Sequence, residues 1–206
     1  HLRASFGQGV RYPSVAERYT TTSVGGLLIF ANPDLKPETG WAAEFGVKQG
    51  VKIGNWKGFV DVAGFINHYD NMMEFTFGLY IPDSIPLNFF NQNAPGYVQK
   101  WLGFRAQNAE SADIAGAEIS ISGEGKMGPV RVLALMGYTY MNPISKNQDS
   151  TYRSTFSDTS SNMLKYRFNH LAKADLQLEW KGISIGGSMR FNSYMKNVDA
   201  IFENGT

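Results

Sequence analysis

With three histidines and no cysteine in 206 residues, this chain has few ways to perform metal or nucleophilic chemistry. His68 and Asp70 stand two apart, a spacing that on a strand puts both on one face, as half of a metal site or of an acid/base pair would need. No third ligand follows, so a hydrogen-bonded histidine at a strand end is the better reading. His170 precedes a strongly alternating run and reads as an interfacial residue. Phe6-Gly7-Gln8-Gly9 contains a G-x-G, yet no helix follows to present its N-terminus to a phosphate. No serine occupies a nucleophile elbow, and no Ser/His/Asp constellation can be assembled. Asn204-Gly205-Thr206 fits a glycosylation acceptor by chance. The expectation is a protein without catalytic residues, metal site or cofactor.

The elements tell more. In Leu171–Trp180 the even positions Ala172, Ala174, Leu176, Leu178 and Trp180 are apolar, while Lys173, Asp175, Gln177 and Glu179 alternate with them. After Lys181-Gly182 the pattern resumes, with Ile183, Ile185, Met189 and Phe191 opposed to Ser184, Ser188, Arg190 and Asn192. This is a hairpin with one apolar and one charged face. Each run has the ~10 residues that a tilted strand needs to cross a bilayer. Further strands are predicted at Leu2–Val10, Gly40–Val51, Trp56 to about Leu79, about Val98 to Gly123, and Val130–Met141. A composition of 22 glycines, 14% aromatic and only 18% charged residues leans the same way. A formal charge of +1 gives no reason to expect nucleic acid. No apolar run reaches the ~18 residues of a membrane helix, so any crossing must be made by strands.

The connections alternate in length. Those near Gly54, Gly128 and Lys181 are short, whereas Arg11–Thr39, Ile81–Tyr97 and Asn142–Met163 are long. That asymmetry predicts an all-β, antiparallel transmembrane β-barrel segment with short periplasmic turns and long extracellular loops. A soluble β-sandwich ligand-binding module gives no reason for long loops at alternate connections only. Trp41, Trp56, Trp101 and Trp180 fall on the apolar parity and read as two aromatic girdles, Trp101 on the assumption of no bulge before Ala115. About seven strands would leave two open edges, which lipid does not tolerate. The chain also starts at His1 without Met or a signal peptide, so residues 1–206 are expected to be one piece of a larger barrel.

Particular motifs point to a family. Arg3-Ala4-Ser5-Phe6-Gly7-Gln8-Gly9-Val10-Arg11-Tyr12-Pro13-Ser14-Val15-Ala16-Glu17, Asn32-Pro33-Asp34-Leu35-Lys36-Pro37-Glu38-Thr39 and Trp41-Ala42-Ala43-Glu44-Phe45-Gly46-Val47-Lys48 resemble the barrel of TonB-dependent outer-membrane receptors. Asp113–Glu118, Gly137–Tyr140 and Tyr166–Ala172 are similar to later strands of that family, with a flavour of its Bacteroidetes members. The resemblance implies a roughly 22-stranded barrel in the bacterial outer membrane, plugged by an N-terminal domain and importing a scarce ligand with energy relayed by TonB. It also implies that the plug domain and about three final strands lie outside residues 1–206.

Site candidates divide by face. Glu44, Lys48, Asp61, Glu118, Lys173, Asp175, Glu179 and Arg190 have interior parity and should solvate the lumen wall and meet a plug. Arg11, Tyr12, Tyr19, Tyr152, Arg153 and Phe156 offer cationic and aromatic groups in extracellular loops and are the ligand-binding candidates. Siderophore, metal chelate, vitamin, glycan and peptide all remain open as cargo. The expected partners are outer-membrane lipid, TonB through the plug, and a surface lipoprotein. A passive porin or an adhesive barrel is the alternative.

Overall fold

The computed structural model describes residues 1–24, 26–82, 98–147 and 150–200, so Asn204-Gly205-Thr206 and most of Ile81–Tyr97 lie outside it. In chain order the strands are β1 (Leu2–Arg11), β2 (Thr22–Val24), β3 (Leu27–Phe30), β4 (Glu38–Ile53), β5 (Trp56–Leu79), β6 (Leu102–Met127), β7 (Val130–Ser145), β8 (His170–Trp180) and β9 (Ile183–Asn192). Seven of them form one sheet in the order β1-β4-β5-β6-β7-β8-β9, every neighbouring pair antiparallel. Among the described residues β1 and β9 are its edges, and they do not pair with each other.

Tight turns fix the register at one end. Lys181 and Gly182 both have positive φ, 46° and 84°, which gives the β8–β9 hairpin the twist-matched turn that strands of this hand prefer. Gly54, at φ 57°, does the same between β4 and β5. With period two enforced, each strand sends alternate side chains to opposite faces. Phe6, Phe45, Val62, Ile119, Met136, Leu176 and Phe191 stand exposed on one face, a bare apolar band that water would not favour and lipid would. Trp56 lies across β6 at Gly123 and Gly125, where any Cβ would strike its ring or backbone.

The strands differ greatly in reach. β8 and β9 have 11 and 10 residues, about one bilayer crossing, whereas β5 and β6 have 24 and 26. At ~3.3 Å per residue and a tilt of ~40°, the surplus carries the β5–β6 hairpin tens of ångströms beyond the apolar band. β7 accompanies β6 only as far as the Ala112–Ser145 pair. Above that, β3 takes the vacated flank of β6 in parallel, Leu28 to Phe30 against Gly103 to Arg105.

Two expectations are corrected here. Arg11–Thr39 is no featureless loop: it contains helix α1 (Val15–Tyr19) and the β2–β3 hairpin. Trp101 does not lie on a membrane girdle, because it closes a 3-10 turn, Val98–Trp101, at the far tip of β6. The girdle reading failed because β6, at 26 residues, runs far past membrane height; the two irregularities of the β5–β6 register between Tyr69 and Met73, where Asn71 adopts φ 53°, cancel and leave the pairing register unchanged. Within Asn142–Met163, β7 continues to Ser145 and a single helical turn, α2 (Ser150–Arg153), follows.

Candidate functional site

Two regions gather the chemistry, the charged face of the sheet and the outer crown above it. Register places Glu44, Lys48, Asp61, Glu118, Lys173, Asp175, Glu179 and Arg190 on the face opposite the apolar band. Arg3, which the sequence reading passed over, joins them: its guanidinium donates to Glu44 at 2.8 Å and to Asp61 at 2.5 Å, lying over Gly46 where a Cβ would collide with it. Lys48 lies opposite Asp61 and places its ammonium 4.9 Å from the centre of the Phe59 ring. Thr139 donates to Glu118 at 3.4 Å, Ser188 to Asp175 at 2.5 Å, and Arg131 to Glu179 at 3.4 Å. Lys173 lies along Gly137, beside its register partner Arg190. A shallow concavity of about 580 Å³ is bounded by Arg3, Asp61, Glu118, Thr139, Lys173 and Arg190, with the acids of β5 and β6 standing between Arg3 on β1 and the cations of β8 and β9.

On the apolar face, Trp41 stacks between Phe6 and His68, with ring centres 6.1 and 5.8 Å away. His68 is engaged with carboxylates, Nδ1 to Asp113 at 2.6 Å and Nε2 to Asp70 at 3.3 Å, and Lys146 completes the cluster on Asp113 at 2.7 Å. Among the described residues no group of three ligating side chains could hold a metal ion. His170 stacks on Tyr138 and shares a 2.7 Å hydrogen bond with its hydroxyl. Trp56 and Trp180 lie beside the tight turns, on the same face as Trp41.

The crown begins with a clasp. Ser14 caps α1 by accepting from the Glu17 amide at 3.2 Å, while the Glu17 carboxylate accepts from the Ser14 amide at 2.7 Å. Arg11 is drawn into the clasp, 2.7 Å from Glu17 and 3.9 Å from Glu38. Arg18 donates to the Pro33 carbonyl, the buried Asn32 amide donates to Ala106 O at 2.8 Å, and Asn108 exchanges hydrogen bonds with both backbone groups of Lys36. The Arg11–Glu17 and Asn32–Glu38 motifs are therefore two halves of one fastening onto β6. Tyr12 and Tyr19 stay open, 75% and 63% exposed.

A second crown element is the connection from β7 to β8, pinned by the segment after β9. Lys165 and Asp199, both almost fully buried, form an ion pair at 2.5 Å, and Lys165 also donates to Thr155 and lies 5.2 and 5.4 Å from the Tyr152 and Phe156 ring centres. Asn197, fully buried, accepts from the Asp158 amide at 2.8 Å and donates to Met163 O at 2.9 Å. Tyr166, in the left-handed region at φ 57°, donates its hydroxyl to Asp199 at 2.7 Å. Burial, and then the Asp199 carboxylate, push its phenol up to about 12. Tyr152 reaches Glu74 of β5 at 2.9 Å, and Arg153 donates to Thr159 O at 2.8 Å.

Of the six loop candidates, the structure leaves Tyr12 and Tyr19 open and ties Arg11, Tyr152 and Arg153 into the crown. Phe156 is corrected outright: at 3% exposure it packs the loop core under Lys165 and offers no face to a ligand. Sequence reasoning missed Arg3, Glu74, Lys165, Asn197 and Asp199. Only Arg3 carried a signal, the interior parity it shares with Ser5.

A sequence model of a family described as TonB dependent receptor-like, beta-barrel, matches residues 1–205. Among solved structures the chain is similar to the hemophore receptor HasR of Serratia marcescens, a double mutant in complex with its hemophore HasA and heme, at 18% identity with a TM-score of 0.53. The match covers 95% of this chain and 30% of that one, and it is a likeness of fold. No curated protein matches.

Proposed function

The chain belongs to the TonB-dependent receptor β-barrel family of the bacterial outer membrane, and on that premise we propose that it supplies wall and crown to an active importer of a scarce ligand. The observation that carries this reading is the two-faced sheet. Its apolar band is one bilayer tall at β8–β9, its opposite face holds a row of charges of both signs, and its edges at β1 and β9 want further strands. In this reading additional strands close a roughly 22-stranded barrel, and a plug domain meets the charges of Arg3, Asp61, Glu118, Lys173 and Arg190. TonB pulls on the plug, lipid covers the apolar band, and a surface lipoprotein can seat on the crown. The chain binds and guides its cargo without a catalytic step. Tyr12 and Tyr19, the open members of the crown, are the first contacts for cargo, a siderophore, metal chelate, vitamin, glycan or peptide.

The test uses the full-length protein in a planar bilayer, together with a pull-down on the periplasmic domain of TonB. A silent bilayer and TonB capture are expected. Steady conductance without TonB capture would replace the importer with a passive porin.

A further inference from the structure

Toward the tight turns, the charged face opens into a recess of about 650 Å³ lined by Gly50, Lys52, Lys57, Phe59, Ser122 and Leu133. Lys48 stands at its edge, with its ammonium 4.9 Å from the centre of the Phe59 ring. Phe59 leans over the bare backbone of Gly50 and stays 48% exposed. It shares the parity of Asp61, so this apolar ring looks into the lumen and away from the hydrocarbon.

The lysines around it lack acids. Lys48 faces Asp61 across β4–β5, and Lys57 faces Glu124 across β5–β6. Both carboxylates are already held by arginines, Asp61 by Arg3 at 2.5 Å and Glu124 by Arg131 at 2.5 Å. Lys52 and Lys57 are themselves register partners, and like charges directly opposite on a sheet repel. Among the described residues no carboxylate forms an ion pair with Lys48, Lys52 or Lys57. The wall therefore gathers cations around a half-exposed aromatic ring and supplies no anion to meet them.

We propose that this recess is a docking groove for an extended acidic segment of the domain that fills the lumen. One carboxylate of that segment answers the opposed Lys52 and Lys57, a second answers Lys48, and an apolar side chain between them covers Phe59 and Leu133. Two observations select this occupant. An inorganic anion would satisfy the lysines and leave the apolar floor wet. A lipid headgroup is held at the opposite face of the sheet, where its chains meet the apolar band. The groove rests on the reading of this chain as the wall of a plugged barrel. It adds where the plug is gripped near the periplasmic rim and the chemistry of the segment that is gripped.

The experiment treats the full-length receptor in outer-membrane vesicles with a water-soluble carbodiimide, which joins an ammonium to a carboxylate only where the two touch, and maps the joined peptides by mass spectrometry. Lys52 or Lys57 should be joined to an Asp or Glu that precedes His1, in a segment holding a second acid and an apolar residue. Lys52→Gln combined with Lys57→Gln should free the segment, so that Lys48 is acylated about fivefold faster by a soluble reagent. Lys126→Gln combined with Lys181→Gln, on the same rim outside the recess, should leave Lys48 as slow as before. Lysines joined only to Asp61 or Glu124, or to nothing, overturn the groove, as does an unchanged Lys48 rate in the Lys52/Lys57 variant. The transport reading fails separately: the expected crosslink in a receptor that conducts steadily and ignores TonB would keep the groove and remove the importer, whereas a silent, TonB-capturing receptor without the crosslink would do the reverse.

Discussion

Replacing Asp199 by Leu would strand the Lys165 ammonium at about 1% exposure, with Thr155 as its remaining hydrogen-bond partner and two aromatic rings nearby. Removing one member of a buried pair costs about 3–5 kcal/mol, and the Tyr166 hydroxyl, left without its acceptor, adds about 1 kcal/mol. The barrel wall should be indifferent, because the pair touches only the β7–β8 connection and the segment after β9. Hydrogen exchange on the bilayer-embedded receptor reads this locally. The Tyr166 amide, bonded to Asn197 O at 2.8 Å, and the Ala200 amide, bonded to Thr155 O at 2.9 Å, should exchange at least a hundredfold faster. Lys165→Met combined with Asp199→Leu exchanges a buried charge pair for apolar groups of similar volume and should recover most of the protection. Unchanged exchange in Asp199→Leu, or a double variant as labile as the single, would refute the claim that this pair holds the crown.

Other outcomes follow from the same geometry. Tyr166 is raised in the folded crown to about 12 from an ordinary 10, so its contribution to crown stability should be complete below pH 10 and vanish as the pH climbs through 12; subtracting the ultraviolet titration of Tyr166→Phe from that of the unaltered receptor should reveal one late phenol. Leu176→Arg puts a charge on the apolar band and should cost ~2–4 kcal/mol in assembly, whereas Arg190→Leu on the charged face should be mild; heat-modifiable migration on gels compares them, and equal effects would invert the facing of the sheet. Glu17→Ala removes the capping box and the Arg11 pair, so α1 should loosen by ~1 kcal/mol and protease should cut near Tyr12 sooner.

The sheet was legible because period two is enforced by chemistry on both faces: Leu176 and Lys173 cannot trade environments, so alternation survives in the sequence. The short turns were legible for a related reason, since Gly54 and Gly182 occupy positive φ, where other residues are strained. What failed to show was pairing at a distance. Leu27–Phe30 is four apolar residues, and nothing local announces that they join β6 in parallel. Trp101 escaped because parity says which face a residue takes and nothing of how far β6 runs beyond the membrane before it. Lys165 and Asp199 lie 34 positions apart, and each alone reads as a solvated loop charge. The resemblance rests on the Arg11–Glu17 and Asn32–Glu38 motifs, but nothing in either motif announces that they fasten to each other and to β6 in the folded crown.

The two ends of this wall tolerate changes of length very differently. In the crown an inserted residue lengthens a connection and adds only a slowly growing closure entropy, so the crown's shape can be revised piecemeal. At Gly54-Asn55, between the paired Ile53 and Trp56, there is no slack. One residue added there, unless a bulge absorbed it, would offset every later strand by one and turn Asp61, Glu118, Lys173 and Arg190 toward hydrocarbon together. The periplasmic rim thus acts as the ruler of the barrel, and its tightness is what leaves the opposite rim free to vary.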